Sequence, residues 1–329
     1  MVGYWPFDNP NDPTSDVYSA NHGINHGATW VSDGQVQGAM DYDGTNDFVD
    51  LGADPSLDIP SWGGFTISVW FLNDGGGTFG YGQQMLSKGG FFKDFHLKVS
   101  VGGLLYFEVS QPWENVVDAS HNYRDNSWHH VAIVKESGIT NIWVDGVWKV
   151  SKSLATPVGT TDLPLYVGYT PHTDYYQKHY WSGMIDELAI FNRALDQDEI
   201  ASLYANSVNG YDYCVIPISI DIKPGSDPNC FNNDGHGVIP VAILSTDTFD
   251  AANVDPFSVN MDGATVRVKG KSGNAGSLDD IDGDGDLDLV VHIEDMDGSY
   301  TPGDTVATLT AKTYNGFSIV GQDRICIVP

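Results

Sequence analysis

The chain has 329 residues, enough for two domains of ordinary size, and 41% of them are hydrophobic, which excludes wholesale disorder. Asp and Glu number 44 against 15 Lys and Arg, a formal net charge of −29. Such a surface repels nucleic acid and anionic lipid, and no apolar run reaches the length that crosses a bilayer, so neither nucleic-acid binding nor membrane insertion is expected. The acidity suits a protein working outside cells, with part of its charge neutralised by bound cations.

From the N-terminus onward, short alternating apolar runs punctuated by glycine predict an all-β chain. They are FTISVWFL (65–72), GLLYFEV (103–109), WHHVAIVK (128–135), NIWVDGVWKV (141–150) and LPLYVG (163–168). Asp145-Gly146 predicts a two-residue type I′ hairpin, in which both turn residues take positive φ. That turn sets Trp143 opposite Trp148, so both indoles leave the same face of the ribbon. The one helical stretch is LDQDEIASLYAN (195–206), with Ile200, Leu203 and Tyr204 at helical spacing and Asp196 and Asp198 in the first turn. A break at SVNGYDY (207–213) precedes a second run of strands, which places the domains at 1–209 and 210–329.

Aromatic residues are the first candidates for ligand contact. Flat rings stack on the apolar faces of sugars while polar neighbours take the hydroxyls. The Trp143–Trp148 pair is one candidate surface. The loop YTPHTDYYQKHYW (169–181) is the other, through Tyr169, Tyr175, Tyr176 and Trp181, joined by Trp113 of SQPWENV. His129 and His130 sit side by side on a strand, where neighbours point to opposite faces, so they are not expected to share a substrate.

In the second half, DIDGDGDLD places Asp280, Asp282, Asp284, Asp286 and Asp288 at alternate positions around Gly285. Ca²⁺ takes six to eight hard oxygens, and alternating carboxylates on a glycine-permitted turn supply them. The loop is not an EF-hand, because Val291 stands where the bidentate Glu would be and LVVHI continues as a strand. Among three cysteines, Cys214 and Cys326 lie in strand-like contexts and are expected to bridge the first and last strands in an oxidising compartment. Cys230, in a polar loop, is the odd one. No leader precedes VGYWPFDN, a start compatible with a leader that has been removed.

The ordered set GYWPFDN (3–9), NHGINHG (21–27), GAMDYDGTNDFVDLG (38–52), FTISVWF (65–71), NSWHHVAIVK (126–135), NIWVDG (141–146) and SGMIDELAIFNRAL (182–195) resembles the laminin-G-like, concanavalin A-like domains of secreted proteins. The resemblance implies a jelly-roll sandwich with its N-terminal strand beside IDELAIFN, binding glycans or protein partners. It also implies one structural Ca²⁺ in this domain, held by Asp16, Asp186 and carbonyls around Asn21, with Asp8 and Asp43 as weaker candidates. Residues 216–322 resemble an accessory β-sandwich common in secreted bacterial and archaeal proteins. Relatives of that domain often carry a cysteine before GDT, which would partner Cys230. Thr301 and Pro302 stand there instead.

No strand carries the carboxylate pair that glycoside hydrolysis needs, since Asp186 and Glu187 are adjacent and would diverge. The expectation is therefore an extracellular, secreted or cell-surface module. It is calcium-stabilised with one ion per domain and lectin-like toward a polysaccharide or glycan, and its motifs favour a non-catalytic over an enzymatic role. The alternative is a structural or adhesive segment that contacts surface proteins.

Overall fold

A computed structural model describes residues 1–58, 64–76, 82–89, 95–109, 114–154, 162–171, 179–213, 215–232, 234–246, 249–268, 273, 275–295, 300–301, 303–314 and 318–328. The chain forms two compact units, Met1–Tyr213 and Cys214–Pro329. Strand dominates both, as the alternating runs predict.

The first unit is a sandwich of two antiparallel sheets. An eight-stranded sheet runs Val147–Ser153, Ile139–Val144, Trp128–Glu136, Phe65–Asn73, Ser182–Phe191, Ala39–Asp43, Thr29–Val31, with Gly3–Trp5 also paired to Ser182–Phe191. A seven-stranded sheet runs Glu114–Asp118, Leu105–Val109, Phe95–Val99, Gln83–Lys88, Leu165–Val167, Phe48–Asp50, Ile24–His26. Phe65, Ile67, Val69 and Phe71 from the first sheet meet Leu86, Leu97, Phe107 and Val167 from the second in one apolar core. Tyr4 faces Ala189 in register, so the N-terminal strand lies beside IDELAIFN as the resemblance implies.

Strand Phe65–Asn73 is buried along its whole length, which alternation alone does not predict. Its second face is covered by the C-terminal part of the unit. Tyr204 stacks on Trp70 at 5.5 Å, and the Ser68 hydroxyl donates to the Tyr213 hydroxyl at 3.0 Å. The helix spans Gln197–Val208, two residues later than predicted at each end. Asp196 is its cap: the carboxylate accepts from Glu199 N at 2.9 Å while Glu199 Oε2 accepts from Asp196 N at 3.0 Å. This reciprocal pair satisfies two of the donors a helix start leaves open. Because Asp212 and Tyr213 return to the sheet after the helix, the division between the units falls at 213/214 and not at 209/210.

The predicted hairpin is present. Asp145 and Gly146 have φ of 53° and 72°, and Trp143 pairs with Trp148.

In the second unit one sheet runs Val215–Pro217, Ser318–Val328, Val306–Thr313, Val254–Met261, Ala264–Thr265. Asn229–Asn232 also pairs with Ser318–Val328. A four-stranded sheet runs Ile220–Ile222, Val238–Ile243, Asp288–Glu294, Gly276–Asp279. Ile222, Val241, Val291, Leu309 and Ile319 are among the side chains that fill the core of this unit. Asn229–Asn232 runs parallel to Ser318–Val328 with Cys230 opposite Cys326, and these two form the disulfide, with Cα atoms 4.4 Å apart. The expected Cys214–Cys326 bridge is therefore wrong. Strand-like context pointed to the wrong partner, because a parallel pairing nearly a hundred residues apart is invisible in local sequence. Cys214 itself lies outside the described residues.

Candidate functional site

The core-facing residues of the seven-stranded sheet alternate with residues on its other face, and these are polar or aromatic. Register places Asp50, Tyr166, Ser87, His96 and Glu108 in one row across five strands. Gln84, Lys98 and Tyr106 form a second row. Lys98 Nζ lies 2.8 Å from Glu108 Oε2 with both side chains buried, and 5.5 Å from the centre of the Tyr106 ring. The ring and the carboxylate thus hold the only charge pair of these two rows among the described residues. The Gln84 amide is fully buried, and neither its oxygen nor its nitrogen has a hydrogen-bond partner.

Beside these rows the aromatic rings form a continuous cluster. His26 stacks on Phe48 at 4.3 Å, Phe48 meets Tyr169 at 5.0 Å, and Tyr169 stacks on Tyr180 at 4.8 Å. Tyr166 closes edge-on against both Phe48 and Tyr169. His26 is exposed, Phe48, Tyr166 and Tyr169 are half-buried, and Tyr180 is buried. Burial, followed by the neighbouring hydroxyls of Tyr180 and Tyr166, pushes the Tyr169 phenol up to about 12, so it is a neutral donor near neutral pH. The arrangement offers flat apolar area next to neutral and paired polar groups.

Of the sequence-predicted contact residues, Tyr169 lies at the centre of this cluster. Trp181 does not belong to it: its side chain is fully buried and packs edge-on to Phe71 at 5.8 Å in the sandwich core. The loop aromatics looked equivalent in sequence, but Trp181 directly precedes strand Ser182–Phe191 and turns inward with it. Trp143 and Trp148 share a face as predicted, but that face belongs to the other sheet. Trp143 is half-buried and Trp148 is half-exposed. Trp113, Tyr175 and Tyr176 lie outside the described residues. Phe48, Gln84 and Tyr166 were not singled out in the sequence, although Tyr166, flanked by the core residues Leu165 and Val167, could have been found by strand period.

Asp16 and Asn21 meet, while Asp186 is engaged by other residues. Asp16 Oδ1 accepts from the backbone N–H groups of Tyr4, Tyr18 and Ser19 at 3.0–3.1 Å, and Asp16 Oδ2 accepts from Asn21 N and the Ser19 hydroxyl. Burial opposes its ionisation, but the bonds from Ser19, Tyr4 and Tyr18 prevail and lower its pKa. Asp16 therefore ties the N-terminal strand to its following loop with its lone pairs occupied. Asp186 serves a different segment, accepting from Val36 N at 3.0 Å and Glu187 N at 2.8 Å.

The carboxylates that do gather in this unit are Asp8, Glu187 and Asp212, whose oxygens lie within 4.8 Å of one another. A bulge with Glu187 at φ 51° interrupts the alternation, so Asp186 and Glu187 do not diverge as strict alternation predicts. Both raise the Tyr213 hydroxyl, itself desolvated. Glu187 Oε2 accepts from the Tyr4 hydroxyl at 2.7 Å and Tyr213 N at 3.2 Å, while its buried Oε1 has no partner. Burial, with Asp212 adding to it, pushes Asp8 up to about 7. Three crowded acids with an unpaired buried oxygen suit a hard cation by donor chemistry.

In the second unit Asp280, Asp282 and Asp288 offer oxygens within 4.8 Å of one another. Asp288 is buried and accepts from Ser245 N and Ile281 N, both at 2.8 Å. Gly283 and Gly285 take φ of 82° and 99°, the left-handed backbone that lets the turn close. Asp284 and Asp286 lie on the same turn, where Asp284 accepts from Asp286 N at 2.8 Å, but they are outside that group of three.

Residues 43–201 match the family model described as the concanavalin A-like lectin/glucanases superfamily. Among solved structures the chain is similar to the binding domain of botulinum neurotoxin serotype D/C, at TM-score 0.52 and 11% identity, covering 98% of this chain and 73% of that one. It is also similar to domain 4 of an extracellular arabinanase from Geobacillus stearothermophilus, in complex with arabinotriose, at TM-score 0.49 and 19% identity, covering 62% and 97%. A third is the CBM40 domain of a Ruminococcus gnavus sialidase bound to sialyllactose, at TM-score 0.40 and 14% identity, covering 55% and 98%. These identities are low enough to speak for the fold alone. A sequence search of curated proteins finds no match. No helix among the described residues is long and apolar enough to cross a membrane.

Proposed function

We propose that the first unit, whose residues 43–201 match the concanavalin A-like lectin/glucanases superfamily, is a non-catalytic carbohydrate-binding module of an extracellular protein. The observation that carries this reading is the half-exposed aromatic cluster of Phe48, Tyr166 and Tyr169 beside the polar rows of the seven-stranded sheet. Pyranose and furanose rings present apolar C–H faces edged by hydroxyls, and the half-buried Phe48, Tyr166 and Tyr169, with Asp50 of the long row beside them, offer the matching accessible groups. The partner is a neutral glycan, because a chain of net charge −29 repels polyanions. Asp50 and Glu108, the carboxylates of the long row, sit four strands apart, roughly 19 Å at the usual strand spacing. Glycosidase pairs lie about 5–9.5 Å apart, so the carboxylates of this row do not form one.

In the same reading each unit holds one structural Ca²⁺. Asp280, Asp282 and Asp288 serve in the second unit, with Asp284 and Asp286 completing the loop. In the first unit Asp8, Glu187 and Asp212 serve in place of the Asp16, Asn21 and Asp186 set. The alternative, an adhesive segment that contacts surface proteins, draws on Val147 and Trp148, which stand exposed on the hairpin of the other sheet.

Affinity electrophoresis and calorimetry against a panel of neutral polysaccharides test the reading. Binding that weakens about tenfold on Tyr166→Ala or Phe48→Ala and is unchanged on Trp148→Ala supports it. Absence of binding to every polysaccharide, or loss only on Trp148→Ala, overturns it.

A further inference from the structure

Away from both acidic clusters, His121, Asp125 and His129 bring one ligand atom each within 4.8 Å of the others. The Asp125 carboxylate is at the centre: its Oδ2 lies 2.9 Å from His121 Nε2 and 3.3 Å from His129 Nε2. Behind His129, its Nδ1 meets Asp145 Oδ2 at 2.9 Å, and the other Asp145 oxygen accepts from His130 N at 2.9 Å. Asp145 therefore occupies the Nδ1 side of the His129 ring, and Nε2 is the nitrogen turned toward Asp125.

We propose that His121, Asp125 and His129 form a zinc site, with Asp145 as the residue that orients His129. Two imidazoles and a carboxylate are a borderline-soft donor set that suits Zn²⁺ and not Ca²⁺. With Zn–N and Zn–O bonds near 2.1 Å, a tetrahedral centre sets its ligand atoms about 3.4 Å apart. The observed separations of 2.9 and 3.3 Å need little adjustment to reach that value. A metal-bound imidazole whose other nitrogen donates to a carboxylate is the arrangement that fixes ring orientation and ligand basicity.

The loop is also held in place without the metal. Tyr123 is buried, donates to Asp118 at 2.5 Å, and sets its ring edge-on to His121 at 5.0 Å and to His129 at 5.2 Å. Asn126 N donates to Asn73 O at 3.0 Å, which fixes the far side of the loop. Three protein ligands leave the fourth position for water or for an exogenous donor.

The experiment is a competition titration with Zn²⁺ and a chromophoric chelator on the full chain, free of affinity tags and in excess Ca²⁺. The expected result is one Zn²⁺ per chain, with affinity reduced at least 100-fold by His121→Ala. Because that side chain is 47% exposed, its truncation leaves the fold in place. Asp145→Asn, which keeps a residue that tolerates positive φ, should weaken Zn²⁺ about 10–100-fold. Co²⁺ in place of Zn²⁺ should give the visible absorption of a four-coordinate centre. Zinc bound equally by wild type and His121→Ala, or no binding at tens of micromolar, overturns the assignment.

Discussion

Opening the Cys230–Cys326 bridge is expected to remove about a third or more of the stability of the second unit. The bridge joins residues 96 apart in sequence. Closing a loop of that length removes about 16 cal/mol/K from the unfolded chain in the chain-entropy model, or about 4.7 kcal/mol at 25 °C. Domains of this size are stable by roughly 5–15 kcal/mol, so the loss approaches the smaller of those values. At about 3–6 °C per kcal/mol, the transition of this unit should fall by roughly 15–25 °C. The chain offers a clean assay, because all nine tryptophans precede residue 214. Tryptophan fluorescence follows the first unit alone, while calorimetry follows both. Reductant, or the double substitution Cys230→Ser and Cys326→Ser, should lower only the calorimetric transition that fluorescence does not see. Cys214→Ser should leave both transitions unmoved. A fall of less than about 5 °C on reduction, or an equal fall from Cys214→Ser, would refute the reasoning.

Chelation of Ca²⁺ should lower the same second-unit transition by roughly 12–24 °C at the same conversion. A ligand at a thousandfold excess over its dissociation constant contributes about 4 kcal/mol, and Asp282→Asn should reproduce more of that loss than Asp284→Asn. Acid should destabilise the first unit through Asp16. Its folded pKa lies below the unfolded value of 3.8, so its contribution is full above that value and is lost as pH falls through the folded one. Asp16→Asn should flatten that part of the acid-unfolding profile; a profile identical to wild type would show that the carboxylate is not anchoring the loop. Trp181→Ala should cost about 3–5 kcal/mol of first-unit stability, as for a large core side chain, and a stable variant with altered glycan binding would return Trp181 to the surface.

What could be read from sequence was what local rules determine. Asp145-Gly146 dictates its own turn, the turn dictates that Trp143 faces Trp148, and the spacing of Ile200 and Leu203 announces a helix. The fold of the first unit was legible through a resemblance spread over many weak segments in order. Pairings made across the chain were not legible. Local context favoured Cys214 as the partner of Cys326 and set Cys230 aside in a polar loop, whereas the parallel pairing of Asn229–Asn232 with Ser318–Val328 selects Cys230. Asp186 and Glu187 were assigned opposite faces by strand alternation, and one bulge cancels that rule. Trp181 and Tyr169 share a loop, and which of them faces the core depends on the strand that follows. His121, Asp125 and His129 form no familiar linear motif, since their meeting depends on how one loop folds back on a strand.

Strand Phe65–Asn73 carries a consequence for how the first unit is made. It pairs on one side with Trp128–Glu136 and on the other with Ser182–Phe191, and Tyr204 and Tyr213 close its back. During synthesis its apolar residues therefore wait for partners that emerge much later, roughly ten seconds or more at ordinary elongation rates. For that interval FTISVWFLN is a sticky, β-prone segment without its shelter, and a nascent chain stalled before residue 204 would leave it open to aggregation. The helix, through Tyr204, and Tyr213 after it thus act as the latch that ends this vulnerable interval.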